Sequence, residues 1–232
     1  MAKETAVVLC SGGLNSAVAA KVAAAEHTIA LLYVRFPHRS SGREEACFKR
    51  LVESLNPEKH LTIDMQHFAQ IGGNARISKK LQIEDAMAIG ESGAHTYIPG
   101  LIGTLIGAAF TWADVIRATR IVIGVTEELG PPAPRLATIY PDHSREFLEI
   151  TKQAYEAASP NRRVTLDLPL IDLRRAEIIK LGLRMCTPFA DTWSCLSSNE
   201  DACGACIGCA TRNRGFAEAG VPDPLFCEAV TH

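Results

Sequence analysis

Cys195, Cys203, Cys206 and Cys209 crowd into fifteen residues near the C-terminus. Cys203-Gly204-Ala205-Cys206-Ile207-Gly208-Cys209 presents three thiolates in one tight turn, and Cys195 can fold back as a fourth. Four soft thiolates with no open position describe a closed, structural zinc site. An iron–sulfur cluster also takes four cysteines, but its usual ferredoxin spacing ends in a cysteine before proline, absent here. A redox dithiol needs only two. The ligand count favours zinc.

A second constellation lies near the N-terminus, where the apolar run Thr5-Ala6-Val7-Val8-Leu9-Cys10 meets Ser11-Gly12-Gly13-Leu14-Asn15-Ser16. A strand that turns into a helix leaves unpaired N–H groups at the helix start, where the dipole also favours negative charge. Two glycines let a phosphate approach the main chain, and Ser11 and Ser16 add hydroxyls. This is an anion cradle, with Gly13 as its expected point of positive-φ strain. It is not a Walker loop, because no Gly-Lys-Ser/Thr follows, and the third glycine of a dinucleotide fingerprint is missing. The bland alternative is a helix cap with a packing serine.

These residues need a scaffold to position them. Short apolar runs at 5–10, 28–36, 61–65 and 121–125 read as buried strands, with helical segments at 14–22, 43–55, 101–118 and 146–158. Near-continuous apolar strands alternating with helices predict an α/β fold, a doubly wound parallel sheet covered on both faces. Segments 70–95 and 126–144 read as long loops, the first with room for one short helix, and both are candidates for a substrate lid. Asp172 is expected to cap a further helix that stops at Gly182. In such sheets ligands bind beyond the carboxyl ends of the strands, so the loops after Cys10, Phe36 and Val125 should converge on one crevice.

Composition sets the boundaries. The 232 residues suffice for one domain with an appendage, taken as 1–185 and a zinc-binding 186–232. A net charge of −2 argues against a generally basic nucleic-acid surface, and no apolar run reaches membrane-spanning length. The first residues show no basic region followed by an apolar one, so export is not expected, and clustered cysteines suit a reducing compartment, so a cytoplasmic location is expected. Cys10, Cys47, Cys186 and Cys227 read as small buried hydrophobes, and His38 and His143 as solvated loop histidines.

Taken together, these stretches resemble a known family. The turn resembles the Ser-Gly-Gly-Xaa-Asp-Ser pyrophosphate loop of the PP-loop ATP pyrophosphatases. Within that group the chain is similar to the 7-cyano-7-deazaguanine synthases (QueC) through Thr96-Tyr97-Ile98-Pro99-Gly100, Tyr140-Pro141-Asp142, Ala176-Glu177-Ile178-Ile179-Lys180-Leu181-Gly182, the zinc cysteines and Arg214-Gly215-Phe216. The resemblance implies an adenine nucleotide alpha hydrolase-like fold, ATP with magnesium, structural zinc and a homodimer. It implies that a carboxylate becomes an adenylate, that ammonia gives an amide, and that a second ATP dehydrates the amide to a nitrile. Carried over by position, Cys10, Ser11, Gly12, Gly13, Leu14, Asn15, Ser16 and Arg39 would hold nucleotide. Tyr97, Pro99, Gly100, Tyr140 and Asp142 would hold substrate, with Asn15 and Asp142 in the catalytic role.

Departures from the family pattern fall at this site. Asn15 replaces the motif Asp, and Leu101-Ile102 follow Gly100 where the family has Arg-Asn. Phe36-Pro37-His38-Arg39 replaces Tyr-Gly-Gln-Arg, and His143-Ser144-Arg145 replaces Cys-Arg-Pro. An amide at Asn15 keeps hydrogen bonding but loses charge. These changes keep two alternatives open: a paralogue acting on another small-molecule, peptide or protein acceptor, and a nucleotide-binding partner protein with impaired turnover.

Overall fold

The computed structural model describes residues 3–90, 93–127, 136–159, 163–198 and 200–226. Five strands form one sheet, β1 (Thr5–Leu9), β2 (Thr28–Arg35), β3 (Lys59–Asp64), β4 (Arg120–Ile123) and β5 (Thr165–Asp167). They run parallel in the order β3-β2-β1-β4-β5. The chain winds outward from β1 in both directions, so its switch point lies between β1 and β4.

Alternation along β1 shows why both faces are covered. Ala6 and Val8 face one layer with α1 (Leu14–Glu26), Phe48 and Leu51 of α2 (Ser41–Leu55), Ile178 and Ile179 of α7 (Arg175–Arg184), and Phe216 of α8 (Ile207–Ala219). Val7 and Leu9 face the other layer with Ile106 and Ala109 of α4 (Leu101–Val115) and Leu148 of α6 (Arg145–Ala158). Side chains that alternate across a strand can feed two cores only if helices lie on both sides. The expected doubly wound α/β sheet is the observed one. The short helix α3 (His67–Ile71) opens the first long loop, and a 3-10 turn at Ala86–Ala88 is the short helix expected in it. The second, read as a loop over 126–144, contains α5 (Leu136–Ile139) and a 3-10 turn at Pro141–His143. Among the described residues no helix is long and apolar enough to cross a membrane.

Several expectations are corrected. The strand β5, only three residues long, was too short to register as a periodic run. Asp172 does not cap α7; it pairs with Arg145, while Arg174 is the N-cap and its N–H donates to Glu177 at 2.8 Å. Gly182 does not stop that helix either: it is buried inside it, where a side chain would collide with Phe189. Cys10 and Cys47 are buried, but Cys186 is exposed at a positive φ of 51°, and Cys227 lies outside the described residues.

Candidate nucleotide site and metal centre

The four cysteine sulfurs lie within 4.8 Å of one another. A tetrahedron of sulfurs each about 2.3 Å from zinc has edges of about 3.8 Å, and Cys203 and Cys209 are 4.0 Å apart. Backbone N–H groups already point at the sulfurs, from Leu196 to Cys206 at 3.5 Å, Cys203 to Cys195 at 3.4 Å and Cys206 to Cys203 at 3.4 Å. Hydrogen bonds from Cys206 and Cys209 pull the Cys195 thiol well below its usual range, toward the thiolate that binds metal. The donor set fits a closed structural metal such as zinc. Gly208 lets the start of α8 lie against the Ser194 carbonyl, where any side chain would collide.

Gly12 and Gly13 divide the work of the phosphate turn. Gly12 carries the positive φ of 76° and backs onto the Glu44 carbonyl, so the strain expected at Gly13 belongs one residue earlier. Gly13 is extended at φ −86° and caps α1. The serines organise the turn from within. Ser16 Oγ donates to the Gly13 carbonyl at 2.9 Å and accepts from the Ser11 N–H at 3.2 Å, while Ser11 Oγ accepts from the Gly13 N–H at 3.3 Å. Helix geometry then leaves the Leu14, Asn15 and Ser16 N–H groups without intrahelical acceptors. Gly124, just past β4, allows this helix start to pack close; a Cβ there would stand 2.6 Å from the Asn15 carbonyl.

Two adjoining cavities open at the switch point. The larger, about 320 Å³, is lined by Cys10, Ser11, Gly13, Leu14, Asn15 and Ser16 together with Phe36, Val125, Thr126 and Trp193. The loops after β1, β2 and β4 therefore converge as expected. The smaller, about 190 Å³, is lined by Tyr97, Tyr140, Asp142 and Thr211 among others. Arg76, Leu101, Ile102, His143, Arg175, Leu196 and Gly208 border both.

The remaining expected residues divide. Tyr97 and Tyr140 stand edge to face with ring centres 6.0 Å apart, and the Tyr140 hydroxyl meets Thr96 Oγ1 at 2.5 Å. Asp142 is buried and accepts the Ile102 N–H at 3.2 Å; burial pushes its carboxyl above the ordinary range. Pro99 and Gly100 are exposed and belong to neither wall. Arg39 lies outside both walls too, because its guanidinium donates to the Ser78 carbonyl at 2.9 Å and to the Leu81 carbonyl.

Some residues of the site were missed or misread. Neither histidine is a solvated loop residue. His38 is buried, with Nδ1 on the Phe36 carbonyl at 2.8 Å and Nε2 at 3.0 Å from Glu44. His143 borders both cavities, and burial, reinforced by Arg76 and Arg175, lowers its pKa to about 4 and keeps the ring neutral. Trp193 packs beside the zinc cysteines, and its backbone N–H donates to the Gly12 carbonyl at 2.9 Å, tying the two constellations together. Arg175 is the largest omission. Its Nη1 donates to Asn15 Oδ1, and Gly215 supplies the space beside its Cγ. The signal was the small residue in Arg214-Gly215-Phe216, but its partner is 40 residues away.

The family model for the queuosine biosynthesis protein QueC matches residues 5–220. The chain belongs to the QueC family. Among QueC relatives, the 7-cyano-7-deazaguanine synthase of Chlorobaculum parvum is 34% identical over 227 residues, covering 96% of each chain. That of Koribacter versatilis is 35% identical over 224 residues, covering 95% of this chain and 92% of its own. An NMN synthetase structure from Francisella tularensis aligns with 98% of this chain and 80% of its own, at 15% identity and a TM-score of 0.49, too distant to bear on the site.

Proposed function

We propose that this chain is an ATP-dependent carbon–nitrogen ligase that converts 7-carboxy-7-deazaguanine into 7-cyano-7-deazaguanine. Beside the family membership, the observation that carries the proposal is the wall common to both cavities. ATP in the larger cavity, with its phosphates on the turn at Gly13–Ser16, would place its α-phosphorus next to a carboxylate held in the smaller one. The substrate carboxylate attacks that phosphorus, an acyl–O–P bond forms, and the bond to the β-phosphate breaks with pyrophosphate as leaving group. Ammonia then displaces AMP to give the amide. The amide oxygen attacks the α-phosphorus of a second ATP, pyrophosphate leaves, and loss of AMP with the two N–H protons leaves the nitrile.

The walls suit a planar heterocycle. Tyr97 and Tyr140 offer aromatic faces, and Asp142 offers carboxyl oxygens to the N–H groups of a guanine-like edge. His143, held neutral, can hydrogen-bond the ring without adding charge. Magnesium would enter with ATP, and Asp142 and Glu44 are carboxylates on these walls. A homodimer and a cytoplasmic setting complete this reading by family resemblance. Among the described residues no feature favours a peptide or protein acceptor, or loss of turnover, over this reaction.

The test is to supply ATP, magnesium, an ammonium salt and 7-carboxy-7-deazaguanine, and to follow products by mass spectrometry. The expected result is nitrile with two AMP released for each nitrile formed. Absence of AMP, or AMP release that the carboxylate does not stimulate, would overturn the proposal.

A further inference from the structure

The nucleotide cavity contains a cation that is held in place without being neutralised. Arg175 stands on the first turn of α7, and its side chain passes α8 where Gly215 leaves room. Its Nη1 donates to Asn15 Oδ1, the side chain on the second residue of α1. Among the described residues no carboxylate lies within ion-pair distance of it, and its Nε is out of solvent with no hydrogen-bond partner. The charges that act on it are those of Arg212 and Arg214, which repel it. Burial together with these neighbours lowers its pKa to about 10, so it remains protonated at neutral pH. A buried guanidinium without a counter-ion is costly, and an anion entering the cavity would relieve that cost.

Asn15 explains how the cation stays available. The Asn15 amide oxygen accepts a hydrogen bond from the guanidinium and fixes it in position, but contributes no charge. A carboxylate at the same place would form a paired, charge-assisted contact and commit the arginine to the protein. We propose that Arg175 is the phosphate-neutralising group of this site, held by Asn15 beside the N-terminus of α1, where it contacts the pyrophosphate portion of ATP. On attack at the α-phosphorus, the electron pair of the breaking P–O bond goes to the departing pyrophosphate, and the guanidinium balances that growing charge. This role rests on ATP being the ligand, as in the proposed function.

With metal chelated by EDTA, Asn15→Asp should weaken ATP binding by about tenfold or more, because the new carboxylate captures Arg175 and repels the phosphates. Arg175→Gln should weaken metal-free ATP by about ten- to a hundredfold, the loss of a hydrogen bond to a charged group, and should weaken AMP less. Arg175→Lys should recover part of the loss. Calorimetric titration of ATP, pyrophosphate and AMP into the zinc-loaded protein and these variants reads all three effects, with melting curves and zinc content to show that each variant is folded. If Asn15→Asp binds metal-free ATP as tightly as the unaltered protein or more tightly, the inference is overturned, even should Arg175→Gln fail to fold. ATP binding unchanged by a folded Arg175→Gln would sink this inference while leaving the ligase reading intact. Wild-type protein that binds no adenine nucleotide would sink both.

Discussion

Adjacent glycines at the phosphate turn carry different constraints. Gly12 sits at φ 76°, a region costly for any L side chain, and faces the Glu44 carbonyl of α2. Gly13 adopts a backbone open to most residues; a Cβ there would meet Ser11 Oγ at 3.2 Å and the Trp193 carbonyl at 3.6 Å. Gly12→Val should therefore abolish nucleotide binding and lower the melting temperature, whereas Gly13→Ala should keep the fold and weaken binding modestly. Calorimetry and melting curves on both variants check this, and equal effects would show that conformation is not what separates them. His143 carries a pH signature. Its folded pKa of about 4 lies below the ordinary 6.5, so stability is complete above pH 6.5 and falls as pH drops toward 4. Between pH 7 and pH 5 the unfolded chain takes up a proton that the folded one refuses, a loss of about 2 kcal/mol. Urea unfolding of wild type and His143→Gln at the two pH values isolates this part. An identical fall in both proteins would place the titration elsewhere.

At the scale of elements, the sequence revealed what short-range pattern can encode. The strands β1, β2, β3 and β4 announce themselves as apolar runs, and the phosphate turn as glycines between a strand and a helix. Element ends shift by up to four residues: α1, read to Val22, continues to Glu26, and α4, read to Ala118, stops at Val115, where Arg117 takes φ 59° and the Ala118 N–H returns to the Ala113 carbonyl. The strand β5 was invisible because three residues carry no period, although its place beside β4 buries Leu166. Gly182 was misread because a glycine near a helix end usually marks a stop, while here it is demanded by Phe189 arriving from seven residues on. The zinc ligands needed only local spacing. Arg175 and His143 depended on groups from distant elements, Asn15 for the first and Arg76 and Arg175 around the second, and no periodicity reports such meetings. The partners of His38, Phe36 and Glu44, are near in sequence, but its burial is not encoded in any period. Arg212 shows the same limit: on α8 it reads as polar, yet it is fully buried against Asp223 at 2.6 Å and the Thr192 and Phe189 carbonyls.

For the whole molecule, one short segment joins the metal centre to the larger cavity. The segment from Trp193 to Leu196 runs from the phosphate turn to the first metal ligands, bonding to the Gly12 carbonyl at 2.9 Å at one end and to Cys206 Sγ at 3.5 Å at the other. Trp193, Ser194, Leu196 and Gly208 also line the larger cavity, the one proposed for ATP. The four thiolates bring Cys195 and α8 together; without a cation, four close sulfurs repel or take up protons, and the segment loses its anchor. One zinc per chain is expected, and its removal should weaken ATP binding as well as lower thermal stability. Only two tryptophans occur, so a Trp112→Phe background leaves Trp193 as the single indole reporter on the cavity wall. In that background, stepwise chelation should shift Trp193 emission and reduce ATP affinity in parallel with zinc release, and added zinc should restore both. Cys206→Ala should reproduce the chelated state without chelator. If the zinc-free protein binds ATP with unchanged affinity, the metal centre stabilises α8 alone, and the hydrogen bond between Trp193 and Gly12 transmits nothing to the phosphate turn.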